Sequence, residues 1–151
     1  MKDMSETRNK ASGLSLAEAN AILAAALAAA RADDLAPVAV VVVDAAGNPV
    51  ALQREDGATM LRTDIAFGKA YAAAGMGVAT RVLHLRAQDN PVFFNALASS
   101  SQGKFIPQTG AVAIRNAEGT LIGAVGASGG TGAQDEAICV AGVAAAGLMP
   151  A

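Results

Sequence analysis

Three features of these 151 residues predict an α+β fold in which helices flank a central antiparallel sheet made of two hairpins. Two apolar stretches each double back across a turn of the same form, with Asp44 three residues before Gly47 and Asn116 three residues before Gly119. Hairpins require antiparallel pairing. Alanine-rich segments with helical spacing precede, separate and follow the hairpins, so strands and helices do not alternate singly. That order disfavours a doubly wound parallel sheet.

Residues 1–13 are polar, mixed in charge and without periodicity, and are expected to form a flexible tail ahead of one domain, 14–151. The first helix is expected over Leu16–Arg31, because Ser15-Leu16-Ala17-Glu18 is a capping box and Ile22, Leu23 and Leu27 recur at core spacing in a run of strong helix formers. It stops before Pro37. Val38–Val43 is a nearly continuous β-branched run, the signature of a strand covered on both faces or at the centre of a sheet. Asp44–Asn48 turns the chain into Val50–Arg54, with Gly47 suited to the left-handed position of a type I turn with a bulge. A helix follows over Met60–Ala74, and a shorter one opens at Asn90-Pro91, where Asn caps and Pro takes the first helical position. Phe105-Ile106 is expected as a short edge strand ended by Pro107. The second hairpin joins Ala111–Ile114 to Leu121–Val125. Glycine-rich Gly126–Gly132 then leads into a last helix, Ala133–Ala146, with Asp135 and Glu136 at the positive end of its dipole. The expected order is helix, hairpin, two helices, hairpin, helix.

Composition excludes several function classes. Hydrophobic residues are 53% and charged residues 16%, which rules out a disordered chain and exceeds what one small core hides, so a homo-oligomer is expected. The net charge is -2 and the eleven Lys and Arg form no run, so no nucleic-acid partner is expected. Trp is absent and aromatics are 3%, which removes the usual stacking platforms for single strands. Cys139 stands alone, without a disulfide partner or zinc-ligand spacing, and fits a reducing, cytoplasmic compartment. Lys2, Arg8 and Lys10 ahead of Ala21–Ala30 and Ala30-Arg31-Ala32 resemble a secretory signal only superficially. Asp3, Glu6 and the capping box argue against it, and the apolar run is far short of the roughly 20 residues that span a bilayer. No membrane association is expected.

Gly126-Ala127-Ser128-Gly129-Gly130 matches the Gly-x-Ser-x-Gly elbow of hydrolases, but His84 is the one histidine and the chain is well under the size of that fold. Two readings of the stretch stay open: a structural strand-to-helix turn, or a seat in which the amides of Ser128–Gly132 hold a carboxylate at a helix N-terminus. His84, between leucines, is either a packed residue or a ligand. Phe67, Tyr71, Phe93, Phe94 and Phe105 all fall between positions 67 and 105, as core or as the wall of a flat apolar pocket, and Phe67 and Tyr71 are one helical turn apart. Arg54, Arg62, Lys69 and Lys104 flank the same segments and are either carboxylate partners or surface charges.

Val40–Pro49, Arg54-Glu55-Asp56-Gly57-Ala58, Asp64–Tyr71 and Ile122–Gly130 with Asp135-Glu136-Ala137 together resemble the GlcG/HbpS-like family, which includes the C-terminal domain of PduO-type corrinoid adenosyltransferases. The resemblance runs over about residues 14–147 in consistent order. It implies a profilin-like or PAS-like α/β/α domain, assembly into dimers or larger rings, and binding of haem or another flat carboxylated small molecule. Two departures matter. The first helix has no histidine, which removes the axial ligand of haem-binding PduO-type domains, and Gly110-Ala111-Val112-Ala113 stands where many members read Gly-Gly-x-Pro. On this reading Phe67, Lys69, Tyr71, Phe93, Phe94, Lys104, Ser128, Gly129 and Gly130 are the ligand-binding candidates, and His84 is the candidate for haem iron, with Met60, Met76 or Tyr71 as weaker ligands. The alternative is a small catabolic isomerase or lyase acting on an organic acid, with Asp44, Asp64 or His84 moving the proton.

Overall fold

The computed structural model describes residues 13–151, so the tail expected over 1–13 lies, Gly13 apart, outside the described residues. Helix α1 (Leu16–Ala32) begins where the capping box places it: Ser15 Oγ accepts from Glu18 N at 3.0 Å, and Glu18 Oε1 accepts from Ser15 N at 2.9 Å. Then follow β1 (Ala39–Asp44), β2 (Pro49–Arg54), α2 (Met60–Met76), α3 (Thr80–Asp89), α4 (Pro91–Ser100), β3 (Ala111–Arg115), β4 (Leu121–Ser128), α5 (Gly132–Ala145) and β5 (Met149–Pro150). The sheet order is β2-β1-β4-β3-β5 with every pairing antiparallel, so the two hairpins join along β1 and β4.

The valine run of β1 is covered on both faces, as its composition requires. Val40 and Val42 pack under α1 and α5 with Ile22, Leu23, Ile138 and Val143. Val41 and Val43 pack on the other face against Ala66, Ala70 and Ala73 of α2. The result is the expected α/β/α sandwich, and each fully buried valine contributes roughly 1.5–3 kcal/mol of transfer free energy. Small residues set the spacing of its layers. A Cβ at Gly126 on β4 would lie 2.8 Å from Ala70 N, so α2 rests directly on the sheet there. One at Gly142 on α5 would lie 2.7 Å from Ile22 O, where α5 crosses α1.

Both turns are built alike. Asp44 Oδ1 accepts from Ala46 N at 2.9 Å and Asn48 N at 3.0 Å, and Asn116 Oδ1 accepts from Glu118 N at 3.1 Å and Thr120 N at 2.9 Å. Gly47 and Gly119 supply the left-handed residues, at φ 82° and 79°. Each hairpin also shifts register by a bulge, at Val42/Val43 and Ile114/Arg115.

Three expectations need correction. The chain between the hairpins holds three helices, not two: α3 was missed because Leu83 is its one large buried side chain, too narrow a stripe to read as a period. Thr80 anchors α3 by accepting from Ala111 N at 2.9 Å and donating to Ala111 O at 3.3 Å. Phe105-Ile106 is not a strand. Phe105 is buried with Ala72, Leu83 and Phe94, while Ile106 N donates to Gly68 O at 3.2 Å. The sheet edge beside β3 belongs instead to β5, paired through Ile114 with Pro150 and Arg115 with Met149. Finally, β4 continues past Val125 through Ser128, because Gly126–Ser128 pair with Ala39–Val41. Among the described residues, no helix is long and apolar enough to cross a membrane.

Candidate functional site

One face of α2 presents Arg62, Ile65 and Lys69 at helical spacing to the end of β4 and the start of α5. With His84 of α3, Gln108, Thr109, Ser128, Gly130, Gly132 and Asp135 they line an open cavity of about 400 Å3. Its floor is a buried ion pair. Lys69 Nζ lies 3.3 Å from Asp135 Oδ2 and donates to Ala127 O at 3.0 Å, with the two side chains 7% and 2% exposed. Asp135 Oδ1 also accepts from Gly130 N at 2.9 Å, so the carboxylate ties the helix entrance to the lysine. Charges this deep need such compensation, since each loses its hydration shell.

Gly110 makes the passage for the lysine. A Cβ there would lie 2.6 Å from Lys69 Nζ and 3.0 Å from Lys69 Cδ, and the residue sits at φ 139°. Beneath it, Cys139 Sγ donates to Gly110 O at 3.6 Å. Burial first, and the Asp135 charge second, push the Cys139 thiol far up from its ordinary value, against the opposing pull of Lys69. It is a packed, protonated thiol.

The start of α5 is closed by its own side chains. Thr131 Oγ1 accepts from Gln134 N at 3.2 Å and Gln134 Oε1 from Thr131 N at 2.9 Å, a second capping box. The amides of Gly130 and Thr131, two of those expected over Ser128–Gly132 to seat an anion, therefore already donate to Asp135 and Gln134. Ser128 is 1% exposed and its Oγ accepts from Arg62 Nη1 at 3.3 Å. The remaining guanidinium donors of Arg62 have no protein partner among the described residues. His84 is half-buried on the same face of α3 as the anchored Thr80, its Nε2 3.4 Å from Gln88 Nε2.

The structure thus brings Lys69, His84, Ser128 and Gly130 together and leaves the other candidates elsewhere. Phe67 and Tyr71 are each two residues from Lys69, about 200° round the helix. Phe67 packs on the core between α2 and the sheet, and Tyr71, its ring 5.9 Å away, packs on Gly47. Phe94 is buried beside Phe105 at 6.1 Å, with Met76 packed against the same cluster, and half-exposed Phe93 meets Phe94 edge-on at 5.4 Å. Lys104, Asp64 and Met60 are exposed, and Gly129 is half-buried against Pro37 and Val38. Asp44 lies opposite Gly123 whereas Ser128 lies opposite Ala39, which separates the two by about 16 Å of strand. Arg54 belongs to a different groove, where Arg31 Nε and Glu55 Oε2 pair at 2.9 Å.

Sequence reasoning placed Asp135 by its helix dipole and its motif but not in the site, counted Gly132 only for its backbone amide, and passed over Ile65, Gln108 and Thr109 as lining residues. The spacing of Arg62, Ile65 and Lys69 on one helix was the signal that joins them. Among the described residues, no group of three or more His, Cys, Asp or Glu is arranged to hold a metal ion.

Known proteins resemble this chain in sequence and in fold. The corrinoid adenosyltransferase PduO of Citrobacter freundii is 34% identical over 142 residues, which are 93% of this chain and 41% of PduO. The chain therefore spans well under half the length of that relative. Among solved structures, the PduOC:haem complex superposes with a TM-score of 0.78 at 32% identity, covering 88% of this chain and 94% of the other. The Klebsiella pneumoniae protein ORFY gives 0.80 at 29% identity, covering 89% and 90%. A double mutant of HbpS from Streptomyces reticuli gives 0.75 at 30% identity, covering 87% and 85%. The family model described as haem-degrading protein HbpS-like matches residues 14–144, nearly all of the helices and strands described above, and the chain belongs to that family.

Proposed function

We propose that this protein binds a small carboxylate-bearing molecule, haem among the candidates, in the cavity between α2, α3 and the start of α5. One observation carries the reading: the guanidinium of Arg62, with donors to spare beyond its bond to Ser128, the imidazole of His84 and the Ser128 hydroxyl line one open cavity of about 400 Å3. A guanidinium with free donors pairs with a carboxylate in a fork geometry that few other ligand groups match. The proton-transfer alternative fares less well on the same geometry. Of Asp44, Asp64 and His84 only His84 lines the cavity, and the carboxylate that does, Asp135, is tied to Lys69 and Gly130.

Haem is the ligand named with the PduOC relative. The residues here suit its polar parts, with His84 available to iron and Arg62 to a propionate. Ile65 is the sole large apolar side chain of the lining, so the faces of the macrocycle would rest on side chains beyond it. Hemin and its dimethyl ester, titrated into the wild type, Arg62→Gln and His84→Ala and followed by visible absorption, test the reading. Hemin is expected to bind the wild type with a sharpened Soret band, the ester about tenfold more weakly, and His84→Ala is expected to lose the imidazole-type spectrum. A wild type that holds hemin no better than an unrelated apolar protein, and holds no small carboxylate either, overturns it.

We also propose that the chain self-associates in a reducing cytoplasm. Met60, Val92 and Leu61 are 74%, 80% and 56% exposed, apolar surface that a second copy would cover. A monomer in sedimentation at micromolar concentration would refute this.

A further inference from the structure

The two cations of the cavity have different surroundings. Lys69 is 6% exposed, its ammonium is shared between Asp135 and Ala127 O, and its passage is cut by Gly110. Its charge is cancelled where it stands. Arg62 is half-exposed, and its one protein partner among the described residues is the neutral Ser128 hydroxyl. On the reading above, we infer that Lys69 and Asp135 form a neutral strut that shapes the site, that Arg62 alone holds the ligand's charge, and that the site takes its ligand through a single carboxylate. Gln108, Thr109, Ser128 and His84 then meet hydroxyl or carbonyl groups of the same molecule. A second carboxylate would find Asp135 in the lining and no free cation beside it. The class is therefore a small hydroxy or oxo monocarboxylate, or one propionate of a larger ligand.

Asp135 is on this account a positioning residue that sets charge selectivity. Asp135→Asn keeps the acceptor for Gly130 N and removes the charge, which releases the Lys69 ammonium as a second cation. Lactate and malate, each titrated by NMR at pH 8 into the wild type, Arg62→Gln and Asp135→Asn, separate the roles. The wild type is expected to prefer lactate over malate by about tenfold, and Arg62→Gln to lose about tenfold or more in lactate affinity. Asp135→Asn is expected to reverse the preference, a change that a merely structural aspartate would not produce. In the wild type, lactate is expected to move the Arg62 side-chain Nε–H resonance and leave the Lys69 ammonium unmoved, a readout independent of any variant's folding. An Asp135→Asn protein with unchanged preference, or a ligand-shifted Lys69, overturns the inference. Wild-type protein that binds hemin but neither acid overturns the monocarboxylate class alone, whereas failure to bind any of the three overturns the binding function on which it rests.

Discussion

Replacing Lys69 by Met isolates the energetics of the buried pair. Methionine fills the volume of the lysine stem, so the cavity left is small and the change is electrostatic. Asp135, its side chain 2% exposed, then keeps one donor, Gly130 N at 2.9 Å, for a full negative charge. Removing one partner of a buried ion pair costs about 3–5 kcal/mol, because the survivor is left dehydrated and uncompensated. The freed Ala127 carbonyl loses a bond from a charged donor, worth about 1.5–3 kcal/mol, and lies within that range. Removing both charges, in Lys69→Met with Asp135→Asn, leaves polar groups only and is expected to cost about 1–2 kcal/mol, so the double variant should be about 2–3 kcal/mol more stable than Lys69→Met alone. Urea unfolding measures it. With a slope of about 2 kcal/mol/M, the single variant should lower the midpoint by about 1.5–2.5 M and the double variant by less than about 1 M. Equal midpoints for single and double variants would refute the pairing argument.

Three further outcomes follow from geometry described above. Cys139 is held protonated in the fold, from an ordinary 9.0 upward, so the native state keeps a proton that the unfolded chain loses and stability must fall as pH rises through about 9. Between pH 8.5 and 10 the wild type should lose in all about 1.3 kcal/mol of unfolding free energy, read by urea denaturation, that Cys139→Ala does not lose, and equal slopes would contradict it. Gly126→Ala should destabilise by about 1–3 kcal/mol because its methyl meets the α2 backbone, whereas Gly75→Ala, on the open side of α2 with nothing within 4 Å, should stabilise by about 0.5–1 kcal/mol; thermal melts distinguish them. Asp44→Asn should unfold within about 0.5 kcal/mol of the wild type and Asp44→Ala about 1–2 kcal/mol below it, because the turn needs an acceptor and not a charge; a large loss in Asp44→Asn alone would point to another role.

The layers were legible because their causes are local. Two turns with an acceptor three residues before a glycine, a valine run, a capping box and alanine-rich helices each state their structure within a few residues of chain. Helix α3 was not, since it is defined by Thr80 reaching Ala111, 31 residues away, and by a single buried leucine. The site was half legible for the same reason. Lys69, His84, Ser128 and Gly130 were picked out by residue type, but a buried lysine and an exposed one have the same letter. What separates Lys69 from Lys104 is Gly110 and Asp135, which are distant in sequence and near only in the fold. In a chain with so few rings the aromatics look reserved for a ligand, whereas Phe94 and Phe105 pack with Leu83 and Ala72 beneath α3.

The pairing of β1 with β4 also sets a timetable for synthesis. Ala39-Val40-Val41-Val42-Val43 emerges early and finds β2 at once, but its other edge waits for a partner that begins at Leu121, about 80 residues later. At ribosomal speeds of 5–20 residues per second that is about 4–16 s of exposure for a four-valine edge. Such a strand is the kind of segment that pairs with its own copies when its native neighbour is late. The helices α2, α3 and α4 that fill the interval supply a cover for one face meanwhile, but no hydrogen-bonding neighbour. Slower elongation between residues 54 and 121 is therefore expected to raise the aggregated fraction without altering the finished molecule's stability.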